Sequence, residues 1–427
     1  MKIDKQQIQE FNSQFLSEHE SNFQFLTTQL DKRGLNVDKV VQKIADFQIA
    51  IPSWALGTGG TRFGRFPGGG EPATLEQKIE DVGLLHALNR SGGAISLHIP
   101  WDIPEDANAI RQLAFENDLI FDAVNSNTFQ DQADQLQSYK FGSLCHTDQK
   151  VRQHAIDHNK EVIRHGVDLG SKSLTVWLSD GSNFPGQQNF KKALSRTLDS
   201  LSEIYASMPD DWKMFVEYKP FEPNFYSTVI PDWGTSHLLA SKLGERAFCL
   251  VDLGHHLPNT NIEQIVATLM MEGKLGGFHF NDSKYSDDDL TVGSIKPYQL
   301  FLIFNELVDG MEDPQLNNPI PAWMIDASHN VKDPLEDLIQ SIEAIKLAYA
   351  QALLVDRSKL EEARDKNDPV LTQEIFQDAF RTDLRPLLAE SRKRAGAALN
   401  PIAFYRIYKI REQLIEERGV HSVATGL

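Results

Sequence analysis

The chain has 427 residues, of which 41% are hydrophobic and 24% are charged, so it can bury a large core and has neither the composition of a disordered chain nor that of a membrane protein. Its 42 basic and 60 acidic residues give a net charge of −18, which opposes binding to the phosphates of nucleic acids. The two cysteines argue against a disulfide framework, and the polar N-terminus and the lack of an apolar run of about 18 residues argue against export and membrane insertion, so we expect a cytoplasmic protein without nucleic-acid or membrane partners.

The N-terminal part of the chain has apolar side chains at helical spacing. Residues 3–31 and 37–47 each show this pattern, which predicts two leading helices. We expect these helices, within residues 1–46, to pack on a larger domain that follows them.

Predicted strands and helices then alternate. The expected strands are 47–52, 94–99, 119–124, 173–178, 213–217, 247–253, 276–280 and 322–326. The expected helices are 74–90, 104–117, 147–169, 188–207, 234–245, 261–273, 297–309 and 333–353. Two doubly wound domains could also alternate in this way, but no Gly-rich dinucleotide fingerprint follows any strand. We therefore predict the α/β class and a (β/α)8 TIM barrel over residues 47–354, with N-terminal helices and a C-terminal helical extension, 355–427, that makes oligomer contacts.

The loop 57–70 after the first strand has an unusual composition. It holds seven glycines, two arginines and the side chains of Phe63 and Phe66. A phosphate cradle would require further nucleotide-type spacing and an immediate helix, so we favour a loop shaped for packing or for substrate. Because the loop leaves the mouth of the predicted barrel, its aromatic side chains would be buried by a second subunit or by folding back over their own site.

Polar side chains stand where the predicted strands end, and a metal centre is the best explanation for them. In a barrel these positions share one face, which is where sites are built. They are His98, Trp177, Glu217, Asp252, His255, His279 and Asp326, with Asp287 and Asp289 just beyond the seventh strand.

One such Asp or His is more often a cap or a core hydrogen-bonding group. Four from successive late strands, namely Glu217, Asp252, His279 and Asp326, would repel one another without a cation. Mixed carboxylate and imidazole ligands suit Mn²⁺, Co²⁺ or Mg²⁺. A second ion would bind at a cluster with Glu217 as the bridge, and the other members of that cluster are His255, Asp287 and Asp289.

Three further residues have two open readings each. Trp54 and Trp177 are core residues or apolar walls against the C–H faces of a sugar. Lys219 lies on the same side of an extended strand as Glu217, so it donates to a substrate oxygen or is exposed to solvent. The acidic run 287–289 would by itself be a solvated loop, and only its position after His279 favours a metal role.

These residues stand in long motifs that resemble L-rhamnose isomerase of the broad-specificity pseudomonad type, within the xylose-isomerase-like barrels. The resemblance runs from about residue 35 over nearly the whole chain. The motifs are Pro52-Ser-Trp-Ala-Leu-Gly-Thr-Gly-Gly-Thr-Arg-Phe, Ser96-Leu-His-Ile-Pro-Trp-Asp, Thr175-Val-Trp-Leu-Ser-Asp-Gly-Ser-Asn-Phe-Pro-Gly, Glu217-Tyr-Lys, Val251-Asp-Leu-Gly-His-His, Gly277-Phe-His-Phe-Asn-Asp-Ser-Lys, Asp287-Asp-Asp and Met324-Ile-Asp-Ala-Ser-His-Asn.

The resemblance implies a homotetramer that holds two Mn²⁺ or similar ions per subunit and interconverts L-rhamnose and L-rhamnulose, with activity on other sugars such as D-allose and D-psicose. It implies a hydride shift between C1 and C2, a metal-bound water or Asp326 as carrier of the hydroxyl proton, and ring opening assisted by His98 and Asp326. It also implies that Phe63 lines the sugar pocket of a neighbouring subunit. Where the related enzymes have His, this chain has Tyr218, whose side chain we expect to point away from the metals.

Other functions fit parts of the pattern. A related isomerase or epimerase for a different sugar would use the same ligands. A metal-dependent phosphoesterase or nuclease can share the barrel, but the negative charge and the tryptophans at strand ends argue against it. A catalytically silent sugar-binding or regulatory protein would not need the complete ligand set.

Overall fold

The centre of the computed structural model, which describes residues 2–59, 64–316 and 320–426, is a closed barrel of eight parallel strands. Each strand pairs with its neighbours in sequence, and the first pairs with the last. The strands are β1 (Ala50–Pro52), β2 (Ala94–Ile99), β3 (Ile120–Ser126), β4 (Ser173–Val176), β5 (Lys213–Glu217), β6 (Ala247–Asp252), β7 (Leu275–Phe280) and β8 (Ala322–Ile325). The predicted (β/α)8 barrel is confirmed.

Eight helices follow the eight strands and cover the outside of the barrel. They are Leu75–Asn89, Ala107–Glu116, Gln149–Leu169, Phe190–Ser207, Trp233–Leu243, Ile262–Met271, Pro297–Glu312 and Pro334–Leu353. Side chains cap several of their N-termini: Thr74, for example, accepts a hydrogen bond from the backbone N–H of Gln77, and Asp232 accepts one from that of Thr235. Local sequence therefore sets where the loops at the barrel mouth end.

The two ends of the chain pack together beside the last barrel helices. The N-terminal helices are Lys5–Lys32 and Val37–Asp46, and the C-terminal helices are Arg357–Asp365, Pro369–Arg381, Arg385–Arg394, Pro401–Ile407 and Ile410–Arg418. A second apolar core joins Val41 and Ile44 to Leu387 and Leu388, and His19 contacts Glu390 at 2.8 Å. This core lies apart from the main core between the barrel and its helices.

Strand register decides which side chains reach the mouth. Asp252 at the end of β6 is the partner of His279 in β7, and Glu217 at the end of β5 is the partner of Leu250. A short antiparallel pair, Gly181–Ser182 with Ser227–Thr228, joins the loops after β4 and β5. This pair is too short to show a pattern in the sequence, and it connects two loops at the C-terminal ends of the barrel strands.

Among the described residues, no single helix is long and apolar enough to cross a membrane. The pair Pro334–Leu353 and Arg357–Asp365, bent by 63°, passes the same test by length and composition alone. The first of these two helices has most of its apolar residues buried against the barrel.

Candidate active site

The first group of candidate metal ligands lies at the ends of three adjacent strands. Glu217 ends β5, Asp252 ends β6, and His279 is one residue from the end of β7. Nδ1 of His279 lies 3.3 Å from Oε1 of Glu217 and 3.7 Å from Oδ2 of Asp252. Asp326, directly after β8, brings Oδ2 to 3.7 Å from the same nitrogen. Four side chains predicted from sequence thus meet around one point.

The second group uses the turn after β6 and the loop after β7. Nε2 of His255 lies 3.2 Å from Oδ1 of Asp287, while its Nδ1 lies 3.2 Å from Oε1 of Glu217. Asp287 and Asp289 have φ angles of 26° and 48°, which few non-glycine residues adopt, so the loop backbone is held in an unusual conformation where it presents these carboxylates.

The two groups share a carboxylate. Ligand atoms of Glu217, Asp252 and His279 lie within 4.8 Å of one another, and so do those of Asp252, His255 and Asp287. By this geometry Asp252 belongs to both groups, while Oε1 of Glu217 lies between the two histidines. Either residue could therefore bridge two ions, and the geometry does not favour Glu217 over Asp252 as the bridging ligand.

Several nitrogen and oxygen atoms of the two ligand groups do not form hydrogen bonds with one another. Among the described residues, Oδ2 of Asp252, Nδ1 of His255 and Nδ1 of His279 are buried and make no hydrogen bond of normal geometry. Buried polar atoms without partners are costly, and oxygen and imidazole donors at these separations are what a divalent cation would satisfy. The residues present therefore fit a metal ion.

The pKa shifts within the cluster also fit a bound cation. Burial opposes the ionisation of Glu217, but the neighbouring His279 and His255 lower its pKa to about 2. Burial likewise opposes protonation of His279, yet Glu217, Asp326 and Asp252 raise its pKa to about 9. Burial raises the pKa of Asp252 to about 6. Protons on the histidines thus balance the carboxylates here, and a divalent cation would supply the same charge.

Backbone and amide groups behind the ligands fix their orientation. Oδ1 of Asp252 accepts hydrogen bonds from the backbone N–H of Gly254 at 2.7 Å and from Nδ2 of Asn281 at 3.0 Å. Oδ2 of Asp289 accepts one from Oγ of Ser328 at 2.8 Å. Contacts of this kind hold ligand oxygens in place before an ion binds.

Tyr218 contacts a different part of this framework. Its side chain is 1% exposed, does not line the cavity, and shares a hydrogen bond of 2.7 Å with Nε2 of His256. The side chain therefore points away from the metal-type ligands, as expected from its place between Glu217 and Lys219 on a strand.

A cavity of about 340 Å³ opens above the ligands, with aromatic side chains on one side. The ring of His98 contacts those of Trp54, Trp101 and Phe129, and Phe129 contacts Trp177. Both tryptophans predicted as core or wall residues line this cavity. Burial lowers the pKa of His98 to about 4, so the ring is neutral at pH 7.

Polar groups on the cavity wall are held in place by contacts to one another. Nε1 of Trp54 donates a hydrogen bond of 2.8 Å to Oδ1 of Asp326. Lys219 is 4% exposed, and its ammonium contacts Asp287 at 2.5 Å, Glu222, and the ring of Trp177 at 5.0 Å from the centroid. Lys219 thus faces the site and not bulk solvent.

The structure brings nearly all residues predicted for the site to this cavity. The residues that line it are Trp54, His98, Trp177, Glu217, Lys219, His255, His279, Asp287, Asp289 and Asp326. Asp252 lies directly behind them and is fully buried. Phe63, predicted to line a neighbour's pocket, lies outside the described residues.

Sequence reasoning missed several lining residues. They are Trp101, Asn125, Ser126, Phe129, Gln130, Thr175, Ser179, Glu222, Pro223, Phe225, Ser328 and Gly426. Trp101 could have been found, because it follows His98 in the same strand-end motif. Asn125 and Thr175 point inward from β3 and β4, and their alternation along the strand was a usable signal. The loop residues Phe129 and Glu222 carried no such signal.

The chain is thus a closed (β/α)8 barrel whose mouth joins metal-type ligands to an aromatic and polar cavity. Solved structures share the fold. An L-ribulose 3-epimerase has a TM-score of 0.54 and 15% identity, over 76% of this chain and 100% of that one. A xylose isomerase domain protein from Alicyclobacillus acidocaldarius has a TM-score of 0.51 and 12% identity, over 72% and 99% of the two chains.

Sequence relatives narrow the class to a family. The chain is 53% identical over 397 residues to a "Probable sugar isomerase" of Rhizobium meliloti, across 93% of this chain and 92% of the relative. It is 53% identical over 407 residues to a second "Probable sugar isomerase", from Mesorhizobium japonicum, across 95% and 94%. The chain belongs to this family of sugar isomerases. An L-rhamnose isomerase of Rhodopirellula baltica is 22% identical over 392 residues, across 80% and 87%. No family model matches the chain.

Proposed function

We propose that the protein is a metal-dependent aldose–ketose isomerase that converts L-rhamnose to L-rhamnulose and also accepts other sugars such as D-allose and D-psicose. The convergence of the metal-type ligands beneath a sugar-sized cavity carries this proposal. The family supports the reaction type, and the distant relative named L-rhamnose isomerase supports the sugar.

Two groups of residues would hold the ions. Glu217, Asp252, His279 and Asp326 would bind one, and His255, Asp287 and Asp289 would bind the second together with Glu217, so that Asp326 both holds an ion and faces substrate. Mn²⁺ suits this mixture of carboxylates and imidazoles, and Co²⁺ and Mg²⁺ are also compatible. When bound, such ions would supply Lewis acidity at the substrate oxygens.

The side chains on the wall have separate tasks in this reaction. In the open-chain aldose, the hydrogen on C2 moves to C1 with its electron pair, and the hydroxyl proton on O2 passes to O1, so C2 becomes the carbonyl carbon. Asp326, which accepts a hydrogen bond from Trp54, would carry that proton, or a water molecule at the site would do so. His98, neutral in its aromatic surroundings, would assist opening of the sugar ring together with Asp326. Lys219 would donate to a substrate oxygen.

A phosphoesterase is a weaker alternative for this cavity. Among the described residues, Lys219 is the only basic side chain other than histidine that lines it, and none is an arginine. Phosphate recognition commonly uses several such charges, whereas tryptophan and phenylalanine rings suit the C–H faces of a neutral sugar.

Glu217→Gln tests the metal-dependent part of the proposal. The amide keeps the shape but removes the charge that faces both histidines, so bound metal and isomerase activity should fall together. Glu245→Gln, which removes an exposed carboxylate from the loop before β6, is the matched control and should retain both. Full metal occupancy in Glu217→Gln, measured by elemental analysis, would contradict the role given to this residue.

The hydride route has its own test. A hydride shift keeps the migrating hydrogen out of contact with water, so the product formed in D₂O should contain little deuterium on carbon. Complete C–H exchange with solvent would replace the hydride shift by a proton transfer through an enediol.

We also propose that two subunits pack mouth to mouth within a homotetramer. Each of the eight loops that follow the barrel strands exposes a large apolar side chain, which a second copy could bury. One from each loop is Phe66, Ile103, Leu136, Phe184, Tyr226, Leu257, Tyr285 and Val331. In this arrangement Phe63 would close the sugar pocket of the adjacent subunit.

Mixing two inactive variants tests this assembly. In a mixed dimer of Phe63→Asp and Glu217→Gln, one site would combine an intact loop with intact ligands, so activity should partly return once subunits exchange. Demonstrated exchange without recovery would mean that the loop serves its own subunit.

A further inference from the structure

Glu222 is a partly buried acid on the cavity wall that has no role so far in the proposed reaction. It lies in the loop between β5 and the helix Trp233–Leu243, and its side chain is 11% exposed. Its carboxylate contacts the ammonium of Lys219, three residues earlier. Lys219 also contacts Asp287, at 2.5 Å. An acceptor and a donor of opposite charge therefore stand side by side on the wall.

The backbone of this loop fixes both side chains. The N–H of Lys219 donates to the carbonyl of Ile230 at 3.0 Å, and the carbonyl of Lys219 accepts from the hydroxyl of Thr228. The N–H of Phe225 donates to the carbonyl of Glu222 at 3.0 Å, which closes a turn. The strand pair at Gly181–Ser182 and Ser227–Thr228 then ties the loop to its neighbour. The pair of charges is therefore placed before any ligand arrives.

The two groups have complementary hydrogen-bonding capacity. An ionised carboxylate only accepts hydrogen bonds and an ammonium only donates them, whereas each sugar hydroxyl does both. Two hydroxyls on neighbouring carbons can thus meet the carboxylate with one O–H and the ammonium with one oxygen. How well they do so depends on the configuration at both carbons.

We propose that Glu222 is a substrate-binding residue that, together with Lys219, recognises a pair of adjacent hydroxyls and so helps to select the aldose. This inference rests on the proposed isomerase function. Glu222 holds the ammonium of Lys219 in place and accepts a hydrogen bond from one of the two hydroxyls.

Steady-state kinetics of Glu222→Gln with L-rhamnose and D-allose test this role. Loss of a charged hydrogen bond should raise KM by about tenfold or more while kcat changes much less. The preference between the two sugars should also change. Glu222→Asp keeps the charge on a shorter stem and should recover part of the lost affinity. Glu245→Gln, the exposed control, should behave as wild type.

A double-mutant cycle with Lys219→Met separates a joint role from two independent ones. If the two side chains act as a pair, the double variant should be little worse than the more damaged single variant. Metal content, measured by elemental analysis, should stay at the wild-type value in Glu222→Gln.

The results for Glu222→Gln and for the wild type distinguish failure of this inference from failure of the proposed isomerase function. Unchanged KM and sugar preference in Glu222→Gln, with an active wild type, would overturn this inference alone. Loss of bound metal or of folded structure in both Glu222→Gln and Glu222→Asp would make the residue structural and would also overturn it. A metal-loaded wild type that forms no ketose would instead overturn the proposed function.

Discussion

Replacing Tyr218 by Phe should destabilise the protein without changing which sugars it prefers. The hydroxyl of Tyr218 donates a hydrogen bond of 2.7 Å to Nε2 of His256, and the two rings meet edge to face at 5.3 Å. Burial lowers the pKa of His256 to about 3, so the ring is neutral at pH 7. Its Nδ1 lies 3.4 Å from the carbonyl oxygen of Leu253, which assigns the ring proton to Nδ1 and leaves Nε2 as the acceptor. Because Tyr218 follows Glu217 and His256 follows His255, the bond joins the end of β5 to the turn after β6.

The size of the effect follows from what the substitution leaves behind. Phe fills the same space but provides no donor, so a buried ring nitrogen loses its partner at a cost of about 1 to 3 kcal/mol. With an unfolding entropy of roughly 2.1 cal/mol/K per residue, a chain of 427 residues would lose about 2 °C in Tm for a loss of about 2 kcal/mol.

Urea unfolding followed by circular dichroism measures this change directly. Glu245→Gln, which removes an exposed carboxylate from the loop before β6, is the control and should unfold like wild type. The ratio of activities on L-rhamnose and D-allose should stay constant in Tyr218→Phe, because the side chain does not line the cavity. A free energy of unfolding within about 0.5 kcal/mol of wild type, or a changed sugar ratio, would refute this reasoning.

Three further predictions concern metal, pH and the proton carrier. Mn²⁺ added to chelator-treated protein, at a concentration of about a hundred times the Kd of the ion, should raise the free energy of unfolding by about 2.7 kcal/mol per ion. The Tm should rise accordingly, and Asp252→Asn should largely abolish this rise. Burial lowers the pKa of His86 to about 4, so the folded state binds fewer protons than the unfolded chain between about pH 6.5 and 4. The free energy of unfolding therefore decreases as the pH is lowered through this window. His86→Gln removes that contribution, so its stability relative to wild type should improve by about 2 to 3 kcal/mol between pH 7.5 and 4.5, and an unchanged difference in urea unfolding would contradict the assignment. Trp54→Phe keeps an aromatic wall but removes the donor to Asp326, so kcat should fall by about tenfold with little change in KM, whereas a rise in KM alone would show that the tryptophan only binds substrate.

The metal-type ligands were predictable because a parallel barrel turns sequence order into spatial proximity. Glu217, Asp252 and His279 are far apart in the chain, but each ends or nearly ends a strand, and adjacent strands place them within 4.8 Å. Asp326 follows the last strand by the same rule. An apolar run that stops at a polar side chain is visible in sequence, so both the fold and the convergence of these side chains could be predicted.

The rest of the site depends on loop conformation, which residue periodicity does not encode. Glu222 reaches the cavity because the turn at Phe225 and a two-residue strand pair fold its loop inward. Phe129 is brought beside His98 by a long loop between β3 and its helix. The position of Asp252 in both ligand groups depends on distances of a few ångströms, which strand order alone cannot supply.

The most direct test of the central claim is to incubate the metal-loaded protein with L-rhamnose and D-allose and to identify the products by NMR. An aldose–ketose isomerase should form L-rhamnulose and D-psicose, and chelator-treated protein should form neither until Mn²⁺ is restored. Absence of both ketoses, or a protein that only interconverts ketoses epimeric at C3, would contradict the proposed function.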